Sequence, residues 1–338
     1  MFSKIMSNIR DVAKKANVSI ATVSRVLSND ETFHTTSKTK KAIFKAIKDL
    51  NYVPNRKIKS IDVGCILSIA SEKYADPFFT NILSACEEEA KKYNLNITQV
   101  KHFFELSNPI TLQNFVHSNL KAVIIMEKIP ENIINILKNY IPYIIYVDYD
   151  ESYELVNSVC FDHRYADLSV FNYLLNAGYK RIAIIEESSV ITSVYDSVRV
   201  LTYRDVLRRN NIEYDENLVR DCKGDIDECI RQTQKLMKLD TPPEVIFVSG
   251  DTLAVETLNE LVRLGYKVPE EVGVVGYNNL PISEHSNPPL TTVEIPMKEI
   301  GKKTIKRLVE IMRGDDAYPQ KISLPTKLII RESTRKKN

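Results

Sequence analysis

A small all-α helix-turn-helix head, followed by a two-lobed α/β core of doubly wound parallel sheets, is expected of this 338-residue chain on three observations. Charge is split: residues 1–60 hold 13 Lys/Arg against 4 Asp/Glu, whereas the remainder holds 33 against 40. The same sixty residues carry three short helical patterns and no glycine, Gly64 being the first in the chain. From Val63 onward, apolar strand-like runs alternate with helical periods, the pattern of parallel sheets covered on both faces.

The head reads as follows. Ile9, Val12, Ala13 and Ala16 fall at helical spacing and give a two-turn helix one apolar stripe. Asn17-Val18-Ser19 interrupts it, with Ser19 placed to cap a second helix that runs to about Leu27. Val23, Val26 and Leu27 would face inward there, leaving Ile20, Ala21, Ser24, Arg25 and Ser28 outside. A third helix from Thr36 to Leu50 buries Ile43, Ile47 and Leu50 and carries lysines on its outer face. Two short helices across a tight turn, braced by a third, suit a DNA major groove. Small residues at the start of the second helix allow close backbone approach. Arg25 lies one turn on, and arginine is the commonest reader of guanine O6 and N7. Ser19, Thr22, Ser24 and Thr39 offer hydroxyls to phosphate oxygens. The plain alternative is a three-helix bundle with a solvated lysine face and a surface ion pair at Arg25.

Composition removes other classes. Apolar residues make up 43% and charged residues 27% of the chain, the balance of an ordinary globular protein. The longest apolar runs, 122–126 and 141–147, fall far short of the roughly 20 residues that span a bilayer. No apolar signal core precedes Arg10, so the expectation is a cytoplasmic protein with no membrane partner. Five cysteines form no CxxC pair, and five histidines show no ligand spacing, so no metal is expected. Nine glycines, none closer than Gly273 and Gly276, provide neither GxGxxG nor GxxxxGK[ST], and GxSxG and HExxH are missing too. No cofactor, catalytic group or enzyme activity is expected.

The wording of the head is more specific than its periodicity. IRDVAKKANVSIATVSRVLS at residues 9–28 and AIKDLNYVPN at residues 46–55 closely resemble the headpiece of the lactose/galactose repressor family of bacterial transcription regulators. The Ile20-Ala21 pair resembles that family's galactose-type branch. This resemblance implies a DNA-binding domain over residues 7–55, with Ile20, Ala21 and Arg25 reading bases. Asn8, Ile9, Ser19, Thr22, Ser24, Ser28, Thr36, Thr39, Tyr52, Asn55, Arg56 and Lys57 would complete the DNA-binding set. Asn17 stands where the family usually has glycine, and Asn enters positive φ more readily than most residues. Residues 56–61 are a hinge shorter than the family's hinge helix, with Ile58 or Ile61 as candidates for its minor-groove wedge.

In the body, strands are expected at 63–70, 122–126, 143–147, 181–185, 245–249 and 273–277, and helices near 79–93, 166–177, 197–210, 252–264 and 298–313. Ligands of such sheets lie beyond the strands' carboxyl ends, here in the cleft between lobes. Asp148, Asp251 and Asn278 fall at or just after strand ends, and Arg199 begins a helix. Asp and Arg can hold sugar hydroxyls, and aromatic rings can stack on a sugar's apolar face. A helix cap or a surface charge is the alternative for each.

GYKRIAI at 178–184, VPEEVGVVGY at 268–277, PPLTTV at 288–293 and LPTKLIIRES at 324–333 resemble the core of the same family. They imply a periplasmic-binding-protein-like effector-binding and dimerisation core over 62–338. Asp148, Arg199, Asp251 and Asn278 fall on effector positions, Asn278 where sugar-binding members usually have Asp. Phe78, in DPFF at 76–79, joins them; helix start and core packing are its alternative. No heptad repeat follows the last strand pattern, so a homodimer on a two-fold operator is expected. The function implied is a sequence-specific transcription repressor controlled by a small ligand, a sugar such as galactose or a galactoside. A purine or a phosphocarrier protein is the alternative effector. From other classes, a solute-binding protein would need a signal or lipid anchor, and a sugar-acting enzyme would need paired carboxylates.

Overall fold

The structure, a computed structural model, describes residues 8–27, 33–50, 52, 60–67, 77–149, 155–188, 193–315 and 318–336. The chain divides into two compact units, Met1–Ser60 and Ile61–Asn338.

In the first unit, α1 (Ile9–Ala16), α2 (Ile20–Leu27) and α3 (Ser37–Asp49) enclose a small core of Val12, Ala13, Val23, Ile43 and Ala46. Ile9, Ala16, Val26, Leu27, Ile47, Leu50 and Tyr52 pack around it. The turn between α1 and α2 works as the Asn17 substitution suggests. Asn17 closes α1 in the left-handed conformation, φ 52° and ψ 50°, where a short amide side chain costs less than other non-glycine residues. Val18 then donates its N–H to Ala13 O at 3.0 Å, which ends the helix.

The second unit opens with β1 (Ile61–Leu67), α4 (Pro77–Lys92), β2 (Leu95–His102), α5 (Phe103–Leu106), α6 (Pro109–Val116), β3 (Ala122–Met126), α7 (Glu131–Tyr140), β4 (Tyr143–Val147) and β5 (Ser158–Phe161). It continues through α8 (His163–Asn176), β6 (Ile182–Glu186), α9 (Val198–Arg209), β7 (Val219–Asp221), α10 (Ile226–Met237), β8 (Val245–Val248), α11 (Asp251–Arg263), β9 (Gly273–Val275) and α12 (Pro281–His285). The last elements are β10 (Thr292–Glu294), α13 (Met297–Arg313), β11 (Lys321–Leu324) and β12 (Lys327–Ile329).

One sheet is six-stranded and parallel, in the order β11-β5-β4-β3-β1-β2, a second is four-stranded and parallel, in the order β7-β6-β8-β9, and β10 pairs antiparallel with β12 in a two-stranded sheet of its own. The central strands β3 and β8 of the two parallel sheets are apolar throughout because both faces are covered. Ala122, Ile124 and Met126 enter one core while Val123 and Ile125 enter another, and Ile182/Ile184 and Ala183/Ile185 divide likewise. The chain passes between the two lobes near Phe161–His163, again between β10 and α13, and a last time between β11 and β12. Helix α13 lies against α4 so closely that a Cβ on Gly301 would stand 2.6 Å from the backbone oxygen of Ile82. Glycine is required there.

Some boundaries differ from the sequence expectation. Ile61 is the first residue of β1, in register with Leu95, so it is held in the sheet and is not a free wedge; the hinge expected over 56–61 stops short of it. Strand β9 ends at Val275, before the expected residue 277. Residues 68–70 of the first expected strand lie outside the described residues. Residues 56–59, with the hinge wedge candidate Ile58, lie outside the described residues.

Candidate functional site

On the head, α2 presents Ile20, Ala21, Ser24 and Arg25 outward, Ile20 being 45% exposed. The Arg25 guanidinium carbon lies 5.4 Å from the Phe33 ring centroid. Ser19, Thr36 and Asn8 of the expected DNA-binding set cap their own helices. Ser19 Oγ accepts from Thr22 N at 3.0 Å and lies 2.8 Å from Thr22 Oγ1. Thr36 Oγ1 repeats this with Thr39, at 3.1 and 2.8 Å. Asn8 Oδ1 accepts from Arg10 N and Asp11 N, and Asp11 returns a bond from Asn8 N at 2.8 Å. What such caps leave facing outward is a helix N-terminus, whose backbone N–H groups and dipole favour an anion. Ile9 and Tyr52 pack on the head core, a departure from their expected role. Ser28, Asn55, Arg56 and Lys57 lie outside the described residues.

In the second unit, a cleft of about 570 Å³ opens at the carboxyl ends of both parallel sheets. It gathers all five expected effector positions, Phe78, Asp148, Arg199, Asp251 and Asn278. The backbone there is unusual. Glu127, Asp148 and Asn278, all cleft-lining, take positive φ of 68°, 58° and 102°. Non-glycine residues held so by their surroundings gather where side chains must be aimed.

Asp148 follows β4 and its Oδ1 stands 2.9 Å from His163 Nε2. The His163 ring in turn lies against Phe161, centroids 3.9 Å apart. Phe78 sits in the first turn of α4, edge-on to Phe79 at 4.9 Å. It therefore serves as core and as cleft wall together.

Arg199 occupies the first turn of α9, which Ser197 caps. Its Nε donates to Asp167 Oδ1 at 3.1 Å and its Nη1 to Glu186 Oε2 at 2.7 Å. The rings of Phe247 and Tyr277 lie 4.8 and 4.4 Å from its guanidinium carbon. Burial pushes the Asp167 and Glu186 carboxyls up, and the Arg199 charge opposes that rise. Burial alone would lower the guanidinium; the two carboxylates override it and hold it above its usual range.

Asp251 departs from its expected role. It is fully buried, and both carboxylate oxygens are engaged, Oδ2 by Leu280 N and Oδ1 by Thr292 Oγ1, each at 2.6 Å. Its own N–H donates to Tyr277 O at 2.9 Å. Asp251 thus braces the segment that carries Asn278, and Gly276 leaves room for it, since a Cβ there would collide with its carboxylate. Burial pushes the carboxyl up to about 7 against the hydrogen bonds it accepts. Ser249 Oγ, also lining the cleft, is buried with no hydrogen-bond partner among the described residues.

Sequence reasoning missed Asp167, Glu186, Phe161 and His163. Glu186 carried a usable signal, the first of two carboxylates that end an apolar run. Phe161 ends, and His163 closely follows, a strand too short to register, and Asp167 meets Arg199 only through the packing of α8 on α9. No group of His, Cys, Asp and Glu among the described residues could hold a metal ion. No described helix is long and apolar enough to cross a membrane.

Comparison with known proteins bears on both sites. Residues 8–55 match the family described as bacterial regulatory proteins, lacI family, and residues 171–334 match the periplasmic binding protein-like domain. The NTD biosynthesis operon regulator NtdR of Bacillus subtilis (strain 168) is 28% identical over 339 residues, covering 97% of this chain and all of that protein. The HTH-type transcriptional repressor CytR of Escherichia coli (strain K12) is also 28% identical, covering 97% of this chain and 96% of its own. Among solved structures, the transcriptional regulator CelR in complex with cellobiose superposes with a TM-score of 0.73 at 26% identity, over 97% of this chain and 99% of that one. The Lac repressor dimer bound to operator and the anti-inducer ONPF gives 0.72 at 23% identity, over the same shares.

Proposed function

We propose that the chain is a regulator of the lacI type, the family its residues 8–55 match, and that its cleft takes a saccharide whose binding sets the affinity of the head for an operator. In this reading the protein is a ligand-responsive transcriptional repressor; its relative CytR is a transcriptional repressor and NtdR an operon regulator. What supports a sugar is the juxtaposition in one cleft of hydrogen-bonding carboxylates and a guanidinium with the faces of Phe78, Phe161 and Tyr277. Sugars demand both kinds of surface. The cleft volume falls within the range of small-molecule sites, and the solved relative CelR holds cellobiose.

In this reading residues 7–55 form the DNA-binding domain, and Ile20, Ala21 and Arg25 read bases. Phe78, Asp148, Arg199 and Asn278 contact the effector, with Asp251 bracing Asn278. The protein works in the cytoplasm as a homodimer, matching paired heads to a two-fold operator. Effector closes the lobes and changes the spacing of the paired N-terminal lobes, which weakens operator binding. That mechanism requires the effector to prefer one state, since equal affinity for both shifts nothing.

The experiment selects operator from the organism's own fragmented DNA at near-physiological salt, then titrates neutral sugars and purines against the complex. Release of a short two-fold site by a sugar is the expected result. Release by purines alone overturns the sugar assignment, and tight sugar binding without any change in DNA affinity overturns the coupling.

A further inference from the structure

We propose that Ser249 and Tyr277 each give a hydroxyl to the effector, Ser249 by turning its side chain into the cleft, and that these two hydroxyls set which sugar is accepted. This rests on the saccharide reading above and adds two contacts, with their selectivity, to it.

Ser249 directly follows β8, and Tyr277 lies two residues beyond β9. Phe247 is paired with Val275 in the parallel ladder between those strands. Two residues further on, Ser249 comes level with Tyr277 at the carboxyl end of the sheet, where both line the cleft. Their backbones are pinned: Ser249 N donates to Ile185 O at 3.0 Å, and Tyr277 O accepts from Asp251 N at 2.9 Å. Alternation along a strand puts both side chains on the face that carries Phe247, whose ring centroid lies 6.0 Å from that of Tyr277.

Both hydroxyl oxygens are buried without a hydrogen-bond partner among the described residues. Tyr277 is only 3% exposed, with the Arg199 guanidinium carbon 4.4 Å from its ring centroid. Arginine can only donate, and Arg199 directs Nε and Nη1 to Asp167 and Glu186. The phenol proton therefore has no acceptor there. Ser249 differs, because the residue is partly exposed although its oxygen is not. Rotation about its Cα–Cβ bond to another staggered position carries the oxygen from the wall towards the cleft, and no hydrogen bond has to break. Gly250 keeps the adjoining floor open: a Cβ there would stand 3.8 Å from Asn278 Nδ2, which the glycine leaves uncovered beside Ser249.

Buried hydroxyls without partners are uncommon in folded proteins, and two on one wall of one cleft point to a partner outside the chain. A sugar hydroxyl both donates and accepts, as serine and tyrosine do. A wall built to bond a ligand hydroxyl rejects the analogue that lacks it far more strongly than an apolar wall rejects a methylene too many.

The test compares the full chain with its Ser249→Ala and Tyr277→Phe variants. Melting is followed without sugar, and glucose, galactose and cellobiose are titrated by calorimetry. Since neither hydroxyl is bonded in the free protein, both variants are expected to melt no lower than the parent. Affinity for the sugar that binds the parent should fall at least about tenfold in each. Among deoxy analogues of that sugar, the one lacking the matched hydroxyl should bind the parent weakly, and the corresponding variant should not tell it from the complete sugar. Parental affinity in either variant overturns the proposal and leaves the saccharide reading standing. A melting temperature that falls in step with affinity assigns the hydroxyls to folding and overturns it too. If none of the three sugars binds the parent, the saccharide reading fails and this proposal with it.

Discussion

Arg199 is fixed by four neighbours at once, two carboxylates and two ring faces, in a place water hardly reaches. Removing one partner of such a cluster costs more than the cluster contributes, because charge is left buried without compensation. Arg199→Met should therefore destabilise the core by about 3–5 kcal/mol in urea unfolding. Adding Glu186→Gln should recover a large part, and no recovery would show that the loss is one of packing.

Asp251 makes a prediction of the opposite kind. Its folded pKa of about 7 lies above the ordinary 3.8, so burial favours the neutral acid. Below about pH 4 the group is protonated in folded and unfolded chains alike, and its contribution is complete. As pH rises from there through 7, the unfolded chain releases the proton that the folded chain keeps, and stability falls before levelling. In Asp251→Asn that part of the pH profile should flatten, as followed by thermal melting from pH 4 to 8. An unchanged slope would place the titration elsewhere.

At the level of helices and strands, the α1–α2 turn is the sharpest case. Asn17→Gly should be neutral or slightly stabilising, whereas Asn17→Ala forces a Cβ without a compensating amide into the left-handed region, at about 1–2 kcal/mol. Hydrogen exchange of the buried Val12 and Val23 amides would report it. Strands that read as continuous apolar runs were legible in the sequence, and 122–126 and 143–147 fall where expected. What escaped has a physical cause. β2 is an edge strand with a partly exposed, polar course, Leu-Asn-Ile-Thr-Gln-Val-Lys-His, so it shows no apolar run. β5 and β10 are only four and three residues long and depend on neighbours for their pairing. Of the cleft, the positions set by strand ends were readable. Asp167, 32 residues from Arg199 in the chain, was not, because only tertiary packing brings it there.

For the molecule as a whole, the division of charge between head and core matches a division of labour. A base-reading side chain and a phosphate-binding one must fail differently. Arg25→Ala should lose about 1–3 kcal/mol on the selected operator and relax discrimination at one base pair. Lys57→Ala should weaken operator and random DNA alike and lower the salt slope by about one. Anisotropy titrations of both variants on both DNAs separate the two. Equal losses on both DNAs for Arg25→Ala would remove it from the base-reading set.

Strand β11, residues 321–324, closes one edge of the six-stranded sheet beside β5, yet most of that sheet comes from residues 61–161. During translation the ribosome therefore finishes the entire head, and nearly everything that encloses the cleft, before the first lobe can be completed. Until then β5 has an open edge, with backbone groups available to any passing strand. The nascent chain thus spends part of its synthesis with the head already made and the first lobe's sheet still lacking its edge strand β11.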